Sequence, residues 1–463
     1  MKGIIVGAGI GGLSLAYRLR KKGIEVTILE ASSSAGGVLK TSRQDQFLIE
    51  EGPDCFISDK PAGIRLAEEI GLKNEIIGTQ EKNRRAFIVK NGKLHPIPQG
   101  FYLMAPASIG PFLASPLVSW RGKFRTLMEP FIPAPPPFED EALASFVERR
   151  LGKEVLDRVA QPMIAGIYSA DPTDLSLRAT FPSFLEMEQK YGSILKGLRH
   201  RPKTRDKGTS GPRYSLFLSF KKGMSELPTV LVENLLSVLR RNTRVNSMRF
   251  LAPYQWEVET SDGRTEKANF VCMTLPAHAT GKILRGTAPA LSTALEQIEY
   301  GSSVTVSLAY RREQIRHPLN AMGLIVPATE KRTINSCSFS SEKFEGRAPK
   351  EFVLLRGFAG GKRDEQAYQM DDKNLGIAAE RDLGTLLGIS GKPIFTKIAR
   401  WEKSMAQYTV GHVARVAEIE RQAAAFPGLY LGGNGYTGVG VPDVIARSER
   451  IAEEILNSPA LLR

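Results

Sequence analysis

Residues 2–30 constrain the fold more than any other stretch of the chain. KGIIVG is a short apolar strand that runs into GAGIGGLSLAYRLRKKG, where Ile10, Leu13, Leu15, Ala16 and Leu19 recur at helical spacing until Gly23 stops the helix. IEVTILE then reads as a second strand. Gly7, Gly9 and Gly12 form G-x-G-x-x-G between the first strand and the helix, and Glu30 closes the second strand, 18 residues beyond Gly12. Gly7 makes the tight turn, Gly9 lets a pyrophosphate touch the backbone, and Gly12 lets helix and strand pack closely. The helix N-terminus faces the phosphate charge, and a carboxylate at Glu30 hydrogen-bonds a ribose hydroxyl pair. The pattern predicts an α/β, Rossmann-type dinucleotide site, and Glu30 repels a 2′-phosphate, leaving FAD or NAD.

The 463 residues suit two or three domains, with 42% hydrophobic and 24% charged content in the globular range. Cys55, Cys272 and Cys337 lie too far apart for a zinc ribbon or a disulfide framework, and no metal site is expected. A formal charge of +14 favours anionic partners. Half of that excess falls in 199–222, which carries net +7 but no aromatic series or recognition helix, so nucleic acid is not the expected partner. The opening MKGIIVGAG reads as a strand rather than a leader, the expectation for a cytoplasmic protein.

The charge-free run 94–120 contains five prolines and cannot span a bilayer as one helix. Its Phe101, Tyr102, Leu103, Met104, Phe112, Leu113, Leu117, Val118 and Trp120, followed by Arg121, Lys123 and Arg125, suit either a loop-rich core wall or a surface dipping into lipid headgroups. Downstream, Leu143, Phe146, Val147, Leu151, Val155 and Val159 share a helical face. VTVSLAY, GLIVP and EFVLLRGFAGG indicate a second sheet. The cofactor domain is therefore discontinuous, assembled from both ends and the middle of the chain.

ASSSAGG places Gly36 and Gly37 one loop beyond the ribose site, and IEEGPDCF brings Gly52 and Pro53 where another loop can approach a cofactor. LYLGGN and the following Gly438 and Gly440 precede a helix with Pro442 near its start, whose N-terminus would favour an anionic reduced flavin. Together with the N-terminal unit, this selects FAD over NAD. With no attaching Cys or His in evidence, the FAD is expected to be non-covalent.

The whole chain resembles the protoporphyrinogen and coproporphyrinogen III oxidases, FAD enzymes of the amine-oxidase-like superfamily. The resemblance rests on VGAGIGGLSLAYRL, EEGPDCF, QPMIAGIYSADPTDLSLRATFPSFLEMEQKYGSIL, LSFKKGMSELP, RWEKSMAQYTVGH and GGNGYTGVGVPDVI. Amine oxidases share the first and last of these but not the GIYSADPTDLSLRATFP block. The resemblance implies a cofactor domain of the p-hydroxybenzoate-hydroxylase type over 1–84, 214–295 and 395–463, a mixed-sheet substrate domain over 85–93 and 296–394, and a helical membrane-associating domain over 94–213. It sets Gly7, Gly9, Gly11, Gly12, Glu30, Ala31, Gly36, Gly37, Lys40, Gly52, Pro53, Val245, Trp401, Gly433, Asn434, Gly440 and Val441 around FAD. It places Gly166, Tyr168, Ile325 and Phe358 around a macrocycle and Arg85 near its propionates. Two departures stand out: Ser169 and Ala170 where relatives commonly read Ala-Gly, and Val38 where many carry a basic or large residue, leaving Lys40 as the nearest phosphate-reaching cation.

The implied reaction is oxidation of protoporphyrinogen IX to protoporphyrin IX in haem biosynthesis, or of coproporphyrinogen III to coproporphyrin III. It takes three two-electron rounds on one flavin, with molecular oxygen as acceptor yielding hydrogen peroxide. His95, His200, His278, His317 and His412 are scattered, and no acid–base residue is assigned, since flavin N5 accepts the hydride. Expected partners are the porphyrinogen, oxygen, an anionic membrane surface, reached peripherally, and the next enzyme of the haem pathway, with room for an oligomer. An amine oxidase or a carotenoid desaturase-like flavoenzyme is the more remote alternative.

Overall fold

The structure, a computed structural model, describes residues 1–135, 140–168, 170–200, 216–362 and 364–458. Most of the basic stretch 199–222 lies outside the described residues.

Five parallel strands form the first sheet in the order Leu239–Arg240, Glu25–Leu29, Lys2–Val6, Phe270–Met273, Leu429–Leu431. Lys2–Val6 lies at its centre. Ile5 packs into a core with the helices Ile10–Lys21 and Val441–Leu456, while Ile4 and Val6 face a second core under the antiparallel strands Val245–Ala252, Gln255–Thr260 and Thr265–Ala268. A strand covered on both faces needs the unbroken apolar run that KGIIV supplies. The sheet draws strands from residue 2 to residue 431, so the cofactor-side layer is discontinuous in sequence.

The second sheet has seven strands, ordered Phe395–Ala406, Tyr300–Arg311, Phe352–Gly360, Ser336–Phe339, Gly323–Ile325, Ala86–Lys90, Lys93–Pro96. It is mixed, since Gly323–Ile325 and Ala86–Lys90 pair parallel and the other pairs antiparallel. Alternation divides its side chains between two faces. Phe87, Val304, Val306, Cys337, Val353 and Leu355 pack under the helix Asp372–Leu387, which leaves Ile88, Thr305, Ile325, Ser336, Arg356 and Phe358 on the other, inner face. Strand Phe395–Ala406, grouped from sequence with the cofactor part, is an edge of this second sheet because it pairs with Tyr300–Arg311.

Between strand Lys93–Pro96 and residue 200 the chain is mostly helical, and Leu143, Phe146, Val147, Leu151, Val155 and Val159 are buried together as their spacing predicts. Arg150 is fully buried among them. It pairs with Glu129 and, at 3.4 Å, with Glu188, and donates to the carbonyls of Ile132 and Gly192. Glu129 also accepts from the N–H groups of Ile194 and Leu195, capping the helix Ile194–His200.

The 94–125 run divides between the two expectations drawn for it. Met104, Phe112, Leu117 and Val118 are buried, and Phe101, Tyr102, Leu103 and Leu113 pack against the same core. Lys123 donates to the Leu113 carbonyl and Arg125 to those of Arg149 and Arg150, so these two cations turn inward. Trp120 remains 72% exposed and continues into Phe124, Met128 and Phe131 at 67%, 40% and 77%. No helix among the described residues is long and apolar enough to cross a membrane.

Candidate active site

The turn between the first strand and the first helix is fixed by backbone contacts. Gly7 has φ +102°, and a Cβ on Gly12 would stand 2.0 Å from the Gly7 carbonyl oxygen. Gly12 is therefore the point of helix–strand contact. A Cβ on Gly9 would instead meet nothing within 4 Å. Gly9 caps the helix without any side-chain bond, so the first helical N–H groups face open space. The Gly11 carbonyl accepts from the Ser448 hydroxyl at 2.9 Å, which ties the last helix to this turn.

Glu30 stands beside it, accepting from the Ala8 N–H at 2.7 Å and from the Ser32 N–H at 2.8 Å. The Asn242 N–H donates to the Ser32 carbonyl and the Thr243 N–H to the Glu30 carbonyl, which brings the buried Val245 close to exposed Ala31. The Gly36 N–H donates to the Ala8 carbonyl, and a Cβ on Gly37 would lie 3.2 Å from the Gly9 Cα, so the diglycine closes the same cradle. An acidic strand end, an uncapped helix and open space at Gly9 fit the ribose and pyrophosphate of a dinucleotide.

Lys40 is engaged elsewhere. Its ammonium lies 2.9 Å from Glu51, whose other oxygen pairs with Lys397 at 3.0 Å. Burial alone would raise the Glu51 pKa, but the two lysines hold it below the usual carboxylate range. The Glu51 carbonyl accepts from Trp401 Nε1 at 2.8 Å and Thr305 Oγ1 at 3.1 Å. A Cβ on Gly52 would lie 1.7 Å from the Val38 carbonyl oxygen, so only glycine permits this junction, with Pro53 next in the loop.

The C-terminal cluster joins from the other side. Asn434 donates to the Ser404 carbonyl, and the Tyr408 hydroxyl links the Asn434 carbonyl, at 2.8 Å, to the Gly438 N–H, at 2.7 Å. The Tyr408 ring stacks on His412, 3.9 Å between centroids, and the Tyr436 carbonyl lies 3.1 Å from His412 Nε2. Burial pulls the His412 pKa down to about 4, so the imidazole is neutral at physiological pH. Gly433 precedes the turn with φ +106°, and Gly440 and Val441 start the last helix, where Asp443 accepts from the Gly440 N–H and from Lys60.

Of the expected substrate residues, Ile325 and Phe358 fall in one row across the inner face: Ile88, Ile325, Ser336, Phe358, Thr305 and Ala399 are successive register partners. Tyr168 and Gly166 end the helix Gln161–Tyr168, and Gln407 Nε2 donates to the Tyr168 carbonyl at 3.2 Å. Gln407 also lines a cavity of about 280 Å³ with Tyr300, Ser302, Lys362, Tyr368 and Lys403.

Arg85 is not brought to that row. It is exposed, its Nε donates to the Asn320 carbonyl, and it influences His317, whose ring packs edge-on against Phe87 on the opposite face. Arg85 precedes Ala86 and shares the phase of Phe87, so strand alternation turns it away from Ile88 and Ile325.

Several site residues were assigned no role from the sequence, although Asp54 and Cys55 lie within the EEGPDCF motif. Asp54 pairs with Lys343 at 2.8 Å, and Lys343 also donates to Cys55 Sγ at 3.3 Å. Burial opposes ionisation of Asp54, but Lys343 and Arg356 outweigh it and hold the carboxyl well below its ordinary range. Burial and the Asp54 charge push the Cys55 thiol up to about 12. Arg356 and Thr305 could have been sought only as polar residues in otherwise apolar strands.

Comparison with known proteins agrees with this geometry. The pattern of the flavin-containing amine oxidoreductases matches residues 10–456. Coproporphyrinogen III oxidase of Bacillus subtilis is 30% identical over 98% of this chain and 97% of its own length, and that of Staphylococcus aureus 32% identical over 98% of each. The chloroplast protoporphyrinogen oxidase of Nicotiana tabacum is 30% identical, over 98% of this chain and 85% of its own. A crystal structure from Exiguobacterium, provisionally described as a protoporphyrinogen oxidase, superposes with a TM-score of 0.86 at 30% identity, covering 98% of both chains. The chain is an FAD-dependent oxidoreductase that belongs to the flavin-containing amine oxidoreductase family and, within it, to the protoporphyrinogen and coproporphyrinogen III oxidases.

Proposed function

We propose that this chain oxidises a porphyrinogen to a porphyrin for haem synthesis, and that its substrate is coproporphyrinogen III in preference to protoporphyrinogen IX. The observation that carries the reading is the end-to-end match to bacterial coproporphyrinogen III oxidases of nearly the same length. Bound FAD supplies the two-electron acceptor, and molecular oxygen reoxidises it to give hydrogen peroxide. The protein's part is to hold the ring system against the inner face of the second sheet. Ile325 and Phe358 offer apolar contact there, with Tyr168 and Gly166 at the helical side. Binding and orientation bring the reacting carbon to the flavin without a protein acid or base. The test is turnover of coproporphyrinogen III beside protoporphyrinogen IX, followed by porphyrin fluorescence. A higher kcat/KM for protoporphyrinogen IX reverses the preference, and no porphyrin from either rejects the function.

Peripheral membrane attachment rests on the exposed apolar ridge Trp120, Phe124, Met128 and Phe131, with Lys123 Nζ 4.3 Å from the Trp120 ring centroid. Co-sedimentation with phosphatidylglycerol vesicles tests it: binding is expected for the wild type and lost in Phe124→Glu, and a wild type that ignores the vesicles rejects it.

A further inference from the structure

Arg356 stands in the middle of strand Phe352–Gly360 on the inner face, 3% exposed. Its Nη2 donates to the carbonyls of Gly52 and, at 3.5 Å, Glu51. The guanidinium carbon lies 4.7 Å from the ring centroid of Phe358. Arg356 thus touches the cofactor-side loop and the substrate-side row together.

Its charge has no direct ion pair, although Asp54 and Glu50 act on it from farther away. Among the described residues no carboxylate oxygen lies within 4 Å of its nitrogens: Asp54 is held by Lys343 at 2.8 Å, and Glu50 faces Arg347 at 3.8 Å while accepting from Thr41 and the Met224 N–H. The buried Nε of Arg356 has no partner. Ser338, its register partner on the adjacent strand, likewise keeps a buried hydroxyl without one. A guanidinium cannot shed its proton, and a buried charge without a counter-ion is costly. A ligand that brings negative charge to this seam removes that cost.

We propose that Arg356 is a positioning residue whose charge, held in no direct ion pair, serves the flavin, holding the Glu51–Gly52 loop and favouring the reduced over the oxidised cofactor. Resting on the assignment of the chain as an FAD enzyme, it concerns the electron balance of each round. The substrate carbon gives up a hydride, two electrons and one proton, and the flavin that takes it up gains one negative charge. That charge would add to the distant carboxylates a negative partner for a guanidinium that makes no direct ion pair.

The experiment equilibrates the flavin of the purified holoenzyme against a reference redox dye and reads both by absorbance. Arg356→Gln is expected to shift the reduction equilibrium about tenfold or more toward oxidised flavin, about 30 mV for a two-electron couple. Arg356→Lys keeps the charge and should stay within about threefold of wild type. A Gln variant within threefold of wild type overturns the proposal, as does a Lys variant shifted as far as Gln, because shape rather than charge would then matter. If Arg356→Gln releases its cofactor, the ratio of its affinities for oxidised and reduced FAD gives the same shift by the thermodynamic cycle. If it does not fold, Arg356→Lys decides by the same threefold limit. A wild-type protein that never retains FAD fails the enzyme assignment instead, a separate outcome.

Discussion

The cofactor side and the substrate side of this site are built from different materials. Around Gly12 and Gly52 the geometry is set by backbone meeting backbone, with gaps that would admit no Cβ, and Gly7 and Gly37 hold positive φ beside them. Across the row Ile325, Ser336, Phe358 and Thr305 it is set by side chains standing on a regular sheet. A backbone site tolerates almost no substitution, whereas a side-chain site can change its ligand without changing its frame. One frame can thus serve many substrates, and putrescine oxidase shares it with a TM-score of 0.72 at 16% identity.

The contrast breaks if glycines on the cofactor side prove replaceable. Gly52→Ala puts a methyl 1.7 Å from the Val38 carbonyl oxygen and is expected to destabilise by more than about 4 kcal/mol, read as lost soluble yield or a collapsed Tm. Gly9→Val should separate folding from binding. Its side chain enters open space, so the apoprotein should keep its Tm within a few degrees, while FAD affinity falls about a hundredfold or more by fluorescence titration.

A third test asks whether side chains on the cofactor side also carry stability. His412 has its folded pKa depressed to about 4 against about 6.5 unfolded, so it binds a proton more readily in the unfolded chain. Its contribution is fully present above pH 6.5 and is lost as pH falls toward 4, about 3 kcal/mol in all. Urea unfolding from pH 7 to pH 4 should show this slope in the wild type, and His412→Gln should flatten it.

On the substrate side, Phe358→Ala removes apolar contact worth about 1.5–3 kcal/mol, so kcat/KM should fall one to two decades with flavin content unchanged. Arg85→Ala is the smallest effect: an exposed residue on the opposite face should leave KM within about twofold. A tenfold rise in KM would show that substrate arms reach around the sheet edge.

Legibility in the sequence follows the same division. Gly7, Gly9, Gly12 and Glu30 announce the first sheet because a backbone contact restricts residue type directly. Strand positions and helical faces were readable from period alone. The edge position of Phe395–Ala406 was not, because pairing with Tyr300–Arg311 is a long-range choice that its own residues do not encode. Arg85 and Lys40 looked like ligand cations because charge is visible in sequence, but neither strand phase nor the claim of Glu51 is. Arg356 was missed for the converse reason: its meaning lies in a direct ion pair that it does not make.

The thread of the first sheet also bears on how the protein is born. Its fifth strand, Leu429–Leu431, and the helix that ties Gly11 through Ser448 are synthesised long after the strand Lys2–Val6 that they join. The ion-pair cluster of Arg150 with Glu129 and Glu188 has its partners within 60 residues of one another and far ahead of that strand and helix. During translation that cluster can close while the nucleotide cradle still lacks a wall, and the cradle is complete only once Ser448 has left the ribosome.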